Sequence, residues 1–400
     1  MASKFSEAEW RKIEALFDQS NLEYGLPARR SDSVVIGTFN IRKLGAVGKR
    51  SSQSWNLLVN IARQFDLLAI QEVMDDLSGL EHLVELLGTD YGMVASDVTG
   101  AMPGRRGNAE RLAFIFNWKR VQRTALASDV TYDRSEVIRN LYENRFEYAA
   151  AWDDHSKKLG KWEEKAKQRR ESGGRAPSKP PIELPRFLTF IRQPHCVSFR
   201  IPGIGSAAPY EFLVINAHLL YGKNKKEREW EFRALTEWLC LRAKQADTLY
   251  HPNLLLLGDC NLDFDGDVNT MRDEIDQFIK GLNEEFLRSR RAAEANFPLL
   301  TPHPQLGVLR TALRQKQTYD QIGLFIRDQR LPKSDLNHIA GSTVSGFNYG
   351  VFNIANLISN AMHGKDISAL SESQRKSIYK KAEFDISDHM PAWIRLPRPS

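Results

Sequence analysis

The stretch 253–264, NLLLLGDCNLDF, contains an unbroken run of four leucines. A run this short, bounded by Pro252 and Gly258, predicts a buried β-strand rather than a helix. After the glycine the chain can turn tightly, so the side chains of Asp259 and Asn261 can project on one side of the strand end. A phosphate or a metal ion could meet them there, although Asp and Asn also favour ordinary turns. The other strands therefore have to show whether this one leads to a functional site.

Length and composition allow a single large domain. The chain would suffice for two or three average domains, but a sheet sandwich with insertions can use 400 residues as one. Hydrophobic residues make up 42% and charged residues 26%, which is typical of a globular protein with a substantial core. The 56 basic and 50 acidic side chains give a net charge of +6, which permits a polyanionic partner without requiring one.

The sequence predicts a cytoplasmic protein. No apolar run reaches the roughly 18 residues of a membrane span. The charged side chains within residues 1–20 interrupt the apolar region that a secretory signal needs. Cys196, Cys240 and Cys260 lie far apart without paired spacing, so neither a disulfide framework nor a zinc site is indicated.

The chain is interpreted as an N-terminal segment followed by one domain with two insertions. Residues 1–30 are predicted to form an N-terminal helix and linker, because Ser6 and Glu9 match a capping box ahead of an apolar stripe. The domain then spans 31–400. At about 135–185, charged helices end in a Gly/Ser/Pro-rich linker, and at 334–381 a stretch rich in Gly and Asn is followed by a helical pattern.

Apolar and alternating runs predict the strands, and amphipathic spacing predicts the helices. Besides the leucine run, strands are predicted at 33–40, 65–73, 91–97, 111–117, 187–192, 196–201, 211–216, 317–326 and 384–396. Helices are predicted at about 55–64, 80–87 and 268–279. The loop 100–108, rich in Gly, Pro and Arg, is a place where a phosphodiester could be held.

Polar side chains of one chemical set lie at the ends of these strands. They are Asn40, Glu72, His218, Asp259, Asn261, Asp320, Asp388 and His389. Carboxylate and amide oxygens suit a hard cation such as Mg²⁺ or Mn²⁺, with Ca²⁺ as an alternative. Two histidines can supply the two proton transfers that attack of water on phosphorus requires. The set predicts metal-assisted phosphoester hydrolysis.

The order of the motifs resembles the endonuclease/exonuclease/phosphatase superfamily. The motifs are FN, QE, NAH, GDCN, YDQI and SDHMP, and the stretches DLLAIQEVMD and FIRQPHCVSFRI look most like DNase I. The resemblance runs from Val34 to Leu396, without the two insertions. It implies a four-layered α/β sandwich, in which two mostly antiparallel sheets pack face to face with helices outside.

The resemblance also implies where a metal ion and a phosphate would bind. Asn40 and Glu72 would bind the metal together with Asp388. Asp259 and Asn261 would hold the scissile phosphate or a second ion, so that Asp259 is a candidate for either role. The expected ion is Mg²⁺ or Mn²⁺.

Five further roles follow from the same resemblance. His389 would be the general base, oriented by Asp320. His218 would be the general acid, partnered by Glu110. Arg192, in the stretch that resembles a DNase I strand, would contact phosphate.

The sequence departs from DNase I at two positions that touch the DNA duplex. Met74 replaces an arginine that enters the minor groove, and Asn108 replaces a tyrosine that stacks in the groove.

From the motifs and the resemblance we expect a metal-dependent nuclease, most simply an endonuclease, whose substrate is DNA or RNA. The alternatives are a phosphatase or phosphodiesterase for a phospholipid head group or another small phosphoester, and a binding protein with this fold. The presence of both histidines favours an enzyme, and the oligomeric state stays open.

Overall fold

A computed structural model gives the architecture of most of the chain. The described residues are 3–99, 109–221, 225–244, 251, 253–261, 280–281, 284, 294–328, 330–331 and 348–400. The predicted loop 100–108, with Asn108, and the predicted helix 268–279 lie outside them.

The described strands form two sheets of six strands each. The strands are β1 (Ser33–Leu44), β2 (Leu67–Met74), β3 (Tyr91–Ala95), β4 (Glu110–Asn117), β5 (Gln122–Asp129), β6 (His195–Ile201), β7 (Tyr210–His218), β8 (Asn253–Asp259), β9 (Glu294–Asn296), β10 (Asp320–Ile326), β11 (Tyr349–Val351) and β12 (Ala392–Pro397). The first sheet has the order β11-β12-β1-β2-β4-β3, and the second has the order β5-β6-β7-β8-β10-β9. Of the described pairs, β1–β2 and β7–β8 are parallel and the others are antiparallel.

The described part of the chain has eight α-helices, which lie outside the two sheets. They are α1 (Glu7–Ser20), α2 (Ser52–Ala62), α3 (Ser78–Leu87), α4 (Arg134–Glu143), α5 (Arg145–Glu171), α6 (Lys225–Lys244), α7 (Ile354–His363) and α8 (Glu372–Asp385), with short 3₁₀ turns at Val47–Lys49 and Ile367–Ala369. The predicted four-layered sandwich of two mostly antiparallel sheets is therefore confirmed. None of the helices in the described part of the chain is long and apolar enough to cross a membrane.

The leucine run forms β8, in the interior of the second sheet. Leu255 and Leu257 face the core between the sheets, whereas Leu254 and Leu256 face the apolar side of α6. The run does not alternate with polar residues because both faces of the strand are buried. Gly258 has a φ of 146°, and a Cβ there would lie 1.9 Å from the carbonyl oxygen of Ala217. Only glycine therefore fits where β8 delivers Asp259 beside β7.

Two predicted strands are wrong in part or entirely. Residues 187–192 form no strand, because Phe187 and Phe190 pack with Tyr132 in an aromatic cluster instead of joining a sheet ladder. The predicted strand 384–396 begins only at Ala392, because its first two residues complete α8. Strand β5 was not predicted, since Gln122–Asp129 has few of the large apolar residues that mark a strand.

Helix α1 and the described part of 334–381 contribute to the core beside the first sheet. The capping box at Ser6 is present, and α1 buries Trp10, Ile13 and Phe17. Within 334–381, the described part adds β11 to the sheet edge, and α7 packs against α1 with buried apolar residues such as Leu357. Helices α4 and α5 differ, because Ala166 is their one buried residue.

Candidate active site

The register of the second sheet places three predicted site residues side by side. In the parallel pair β7–β8, His218 lies opposite Asp259. In the antiparallel pair β8–β10, Asp320 lies opposite the same aspartate. The three side chains are almost fully buried, with exposed fractions of 0–4%. A buried aspartate between two titratable neighbours requires partners for its charge.

The first sheet delivers two more residues through a β-bulge. The register of β1 and β2 shifts between Asn40 and Leu44, and Glu72 has a φ of 58°. A positive φ is unfavourable for glutamate and marks a locally constrained backbone. Oε2 of Glu72 accepts the Lys43 N–H at 3.0 Å, and Oε1 lies 3.4 Å from Nδ2 of Asn40. The bulge therefore turns Glu72 toward the amide of Asn40.

The carboxylate of Asp259 joins the two sheets. Its Oδ2 accepts a 3.0 Å hydrogen bond from Nδ2 of Asn40, and its Oδ1 accepts the Asn261 N–H at 3.0 Å. The same Oδ2 lies 3.6 Å from Nε2 of His218 and 3.5 Å from Nε2 of His389. Burial would raise the pKa of Asp259, but the two imidazoles and these hydrogen bonds lower it.

Each imidazole faces a second carboxylate through its other nitrogen. Nδ1 of His389 lies 2.8 Å from Oδ2 of Asp320, and Nδ1 of His218 lies 3.4 Å from Oε2 of Glu110. The sequence predicted these two pairs, and the structure places both in contact. Asp320 therefore holds Nδ1 of His389 by a hydrogen bond, whereas Nδ1 of His218 lies against Glu110 without one, and Nε2 of each ring is turned toward Asp259.

The surrounding charges shift three pKa values. Burial would raise the pKa of Glu110, but His218 and Arg192 lower it to about 2. Burial would lower the pKa of His389, but the carboxylates of Asp320 and Asp259 raise it to about 10. Burial raises the pKa of Asp320. The carboxylates of Asp320 and Asp259 therefore favour the positively charged form of His389, which offsets the charge of the buried aspartates.

Arg192 binds the carboxylate that orients His218. Its Nε donates to Oε2 of Glu110, and its Nη1 donates to the carbonyl oxygens of His218 and Leu219 at 3.3 and 3.4 Å. Only 8% of the residue is exposed. These contacts give Arg192 a role in fixing the His218 strand end, and its predicted contact with phosphate stays a prediction.

Three buried oxygen atoms in the site are suited to a hard cation. Oδ1 of Asn40, Oδ1 of Asp320 and Oδ1 of Asp388 have no hydrogen-bond partner among the described residues. Buried acceptors are normally paired, so such oxygens fit a bound ion. The ligand atoms of Asp259, Asp320 and His389 also lie within 4.8 Å of one another. That group does not include Glu72 or Asp388, whose roles as metal ligands stay predictions.

A hydrogen-bond network beneath the site was not predicted. Nδ2 of Asn216 donates to the carbonyl oxygens of Ile70 and Ala113 at 3.0 and 2.8 Å. Its Oδ1 accepts a 2.6 Å bond from Nε2 of Gln71. Because Asn216 belongs to the second sheet and its partners to the first, the network ties the two sheets together. Its only sequence signal is that Asn216 and Gln71 lie inside the NAH and QE motifs.

Ser387 is a second residue without a predicted role. Its hydroxyl donates to the carbonyl oxygen of Asn40 at 2.6 Å and accepts the N–H groups of Arg42 and His389 at 3.1 and 3.2 Å. It therefore fixes the loop that carries His389 to the bulge that carries Asn40. The SDH motif contained this serine, but nothing local distinguished it from the histidine beside it.

Several solved structures resemble this chain at low sequence identity. An endonuclease/exonuclease/phosphatase from Bacteroides vulgatus is 11% identical, with a TM-score of 0.44, over 91% of this chain and 98% of that chain. The human Nocturnin catalytic domain with bound sulfate is 12% identical, with a TM-score of 0.43, over 92% and 95%. A mannosyl-6-phosphatase from Bacteroides thetaiotaomicron is 11% identical, with a TM-score of 0.45, over 90% and 98%. Similarity at this level does not carry an activity from one protein to another. No protein-family profile and no curated protein matches the sequence.

Proposed function

We propose that this chain is a divalent-metal-dependent phosphoester hydrolase of the endonuclease/exonuclease/phosphatase superfamily, and that it acts on nucleic acid. One observation carries the proposal. Two imidazoles face a shared buried carboxylate, Asp259, through Nε2, and Nδ1 of each ring lies against a separate carboxylate. In-line attack on phosphorus requires a base beside the attacking water and an acid beside the leaving oxygen, and the two imidazoles can supply both.

The two histidines perform the proton transfers. A water molecule attacks phosphorus, so one P–O bond forms while the P–O bond to the leaving group breaks. One imidazole accepts the proton of the water at Nε2, and the other donates a proton from Nε2 to the leaving oxygen. Glu110 and Asp320 hold Nδ1 of the rings and fix their orientation.

Asn40, Glu72 and Asp388 would hold Mg²⁺ or Mn²⁺, with Asp259 facing the same ion or a second one. When bound, such an ion stabilises negative charge on the phosphoryl oxygens in the transition state. The unpaired oxygens of Asn40 and Asp388 support this assignment. Asn261 is proposed to contact phosphate from the turn after β8, where its N–H is already held by Asp259.

The pKa of His389 constrains its role as a base. Asp259 and Asp320 both lie against the imidazole and raise the pKa of His389. Any ligand that neutralises Asp259 removes one of these two charges, and the pKa of His389 then falls toward the range in which a histidine can accept a proton.

Charge distribution supports a polyanionic substrate. Within α5, residues 157–170 carry seven lysines and arginines and two glutamates. This half of the helix is exposed apart from Ala166 and a few partly buried positions. A basic surface of this kind attracts a phosphate backbone whatever its sequence.

A substrate panel tests the proposal. Plasmid DNA, single-stranded DNA, RNA and small phosphoesters are incubated with the protein in Mg²⁺, Mn²⁺ or EDTA. The H218A variant, purified in the same way, controls for contaminating nuclease. We expect metal-dependent cleavage of at least one nucleic acid, no cleavage with EDTA, and turnover about 10²- to 10⁴-fold lower with H218A. Hydrolysis of small phosphoesters alone would favour the alternative function as a phosphatase or phosphodiesterase. If no substrate in the panel is hydrolysed, the proposal is refuted.

A further inference from the structure

Glu231 is a buried carboxylate in α6 to which the reaction above gives no role. Only 3% of the residue is exposed. Its Oε1 accepts the N–H of Ile191 at 2.7 Å, and its Oε2 accepts the N–H of Leu220. The first of these donors directly precedes Arg192 in the chain, and the second follows His218 by two residues. One side chain therefore holds two segments that carry site residues.

The segment after His218 is fixed from several sides. The Leu219 N–H donates to the carbonyl oxygen of Asp259 at 2.9 Å. The Leu219 carbonyl accepts from Nδ2 of Asn261 at 2.9 Å and from Nη1 of Arg192 at 3.4 Å. The backbone of Leu219 is therefore hydrogen-bonded to Asp259, Asn261 and Arg192. The hydrogen bond from the N–H of Leu220 to Glu231 fixes the next residue of the same segment.

Arg228, a second side chain of α6, contacts the loop that follows β8. Nη1 of Arg228 donates to the carbonyl oxygen of Asn261 at 3.0 Å. Residues three apart lie on one face of a helix, so Arg228 and Glu231 both point from α6 to the site. The helix thus makes polar contacts with the loop after β8 as well as with the segment after β7, besides its apolar packing on β8.

We propose that Glu231 is a positioning residue that sets Arg192 and His218 relative to each other, on the premise that the proposed hydrolase function is correct. A carboxylate suits this role because each oxygen can accept one backbone N–H. Glutamine offers one acceptor oxygen, and its amide group would face the second N–H. Burial of the carboxylate is unfavourable, and burial raises the pKa of Glu231. The two N–H donors offset the free-energy cost of burying this carboxylate.

The matched substitution is Glu231→Gln, which keeps the size of the side chain. We expect kcat to fall on the order of 10- to 100-fold, with KM changed less than threefold, as for other residues that orient a reacting group. In the His218→Ala background the same substitution should cost less than threefold, because its effect passes through His218. Glu237→Gln, at an exposed position of the same helix, is the control and should match the wild type.

Hydrogen exchange tests positioning independently of activity. The amides of Ile191 and Leu220 should exchange at least tenfold faster in E231Q, whereas amides in β8 should keep their protection. Unchanged exchange at both amides, or an equal loss of kcat in the two backgrounds, would overturn the inference. If the wild type hydrolyses nothing, the proposed function fails, and exchange alone decides whether Glu231 holds the loops. Should E231Q not fold by circular dichroism, Glu231→Asp is measured by the same criteria.

Discussion

Asp259 is the residue through which the other site residues are connected. Its carboxylate touches Asn40 from the first sheet, His218 from the second, and His389 from the loop before β12. The resemblance gave Asp259 a role in binding phosphate or metal, and the contacts add that it faces Nε2 of each imidazole. A single carboxylate thus links metal binding to proton transfer in the proposed mechanism.

The histidine variants test the proton transfers. We expect His218→Ala and His389→Ala each to lower turnover about 10²- to 10⁴-fold on the best substrate, since each removes one acid or base. Asp320→Asn should be milder than His389→Ala, because the imidazole remains but is no longer held by a carboxylate. Steady-state kinetics check the order. Near-normal turnover by either histidine variant would show that the metal site works without a protein base.

Glu72→Gln tests the proposed metal ligand. The substitution keeps the shape of the side chain but removes its charge, so affinity for Mg²⁺ or Mn²⁺ should fall on the order of tenfold or more. The measurement is the metal concentration that gives half-maximal activity. Glu85→Gln, an exposed glutamate on α3, is the matched control. Equal half-maximal concentrations for E72Q and the wild type would contradict the role.

The ion pair of Arg192 and Glu110 should make stability depend on pH. The pKa of Glu110 is lowered from 4.5 to about 2 in the folded protein, so its contribution is complete above pH 4.5 and is lost as the pH falls toward 2. Arg192→Met removes one cause of the lowered pKa. We expect it to reduce the free energy of unfolding by about 2–4 kcal/mol at pH 7 and by less at pH 3.

Urea unfolding at pH 7, 5 and 3 measures this difference. Arg200→Met is the control, because Arg200 is exposed and its Nε donates to the uncharged side chain of Gln122. A difference between R192M and the wild type that stays constant with pH would mean that the ion pair does not set the pKa of Glu110.

Helices α4 and α5 form the element most separable from the rest. Ala166 is their one buried residue, while Tyr142, Phe146 and Trp152 are 68%, 74% and 63% exposed. Their described polar contacts to the following segment include Asn140 to the Phe187 carbonyl at 3.0 Å. So little buried surface contributes little to the stability of the domain.

Replacement of residues 141–170 by a short Gly/Ser loop tests this separation. We expect the variant to fold, to bind metal with unchanged affinity and to hydrolyse small phosphoesters as the wild type does. Its affinity for nucleic acid should fall and lose part of its salt dependence, because the basic half of α5 is removed. Thermal unfolding and binding at 50 and 200 mM salt are the measurements. A variant that cannot fold would place the helices in the core.

The two sheets are joined by polar as well as apolar contacts. Phe114 and Phe116 of the first sheet stack edge-on with Phe199 of the second. Next to the site, Asn216 replaces such packing with three hydrogen bonds to the opposite sheet. These directional bonds fix how the sheets lie relative to each other, and so fix the distance between Asn40 and Asp259.

Asn216→Ala should therefore destabilise the protein. It leaves two carbonyl groups and the amide of Gln71 without partners, and we expect a loss of about 2–4 kcal/mol in the free energy of unfolding. Activity should also fall, because the strand ends of the two sheets are no longer held together. Glu211→Gln, at an exposed position of the same strand, is the control. Unfolding by urea that matches the wild type would show that water replaces the lost bonds.

The sequence was sufficient for the elements whose signals are local. The leucines of β8 and the capping box at Ser6 each follow from neighbours in the chain. The polar residue types at the strand ends were also visible, and their order identified the fold. Short or partly exposed strands such as β5 and β11 escaped prediction because three to eight residues without a large apolar pattern give too little periodicity.

The contacts that make a site depended on how the chain folds back on itself. Asn40 and Asp259 are 219 residues apart, and no local pattern states that their side chains share a hydrogen bond. Glu231, Ser387 and Asn216 act on backbone groups of segments distant in the chain, and such pairings exist only after the sheets are assembled. The sequence therefore determined the chemistry available to this protein. Its folding in three dimensions determined that this chemistry meets at one carboxylate, because packing and register bring remote strand ends together.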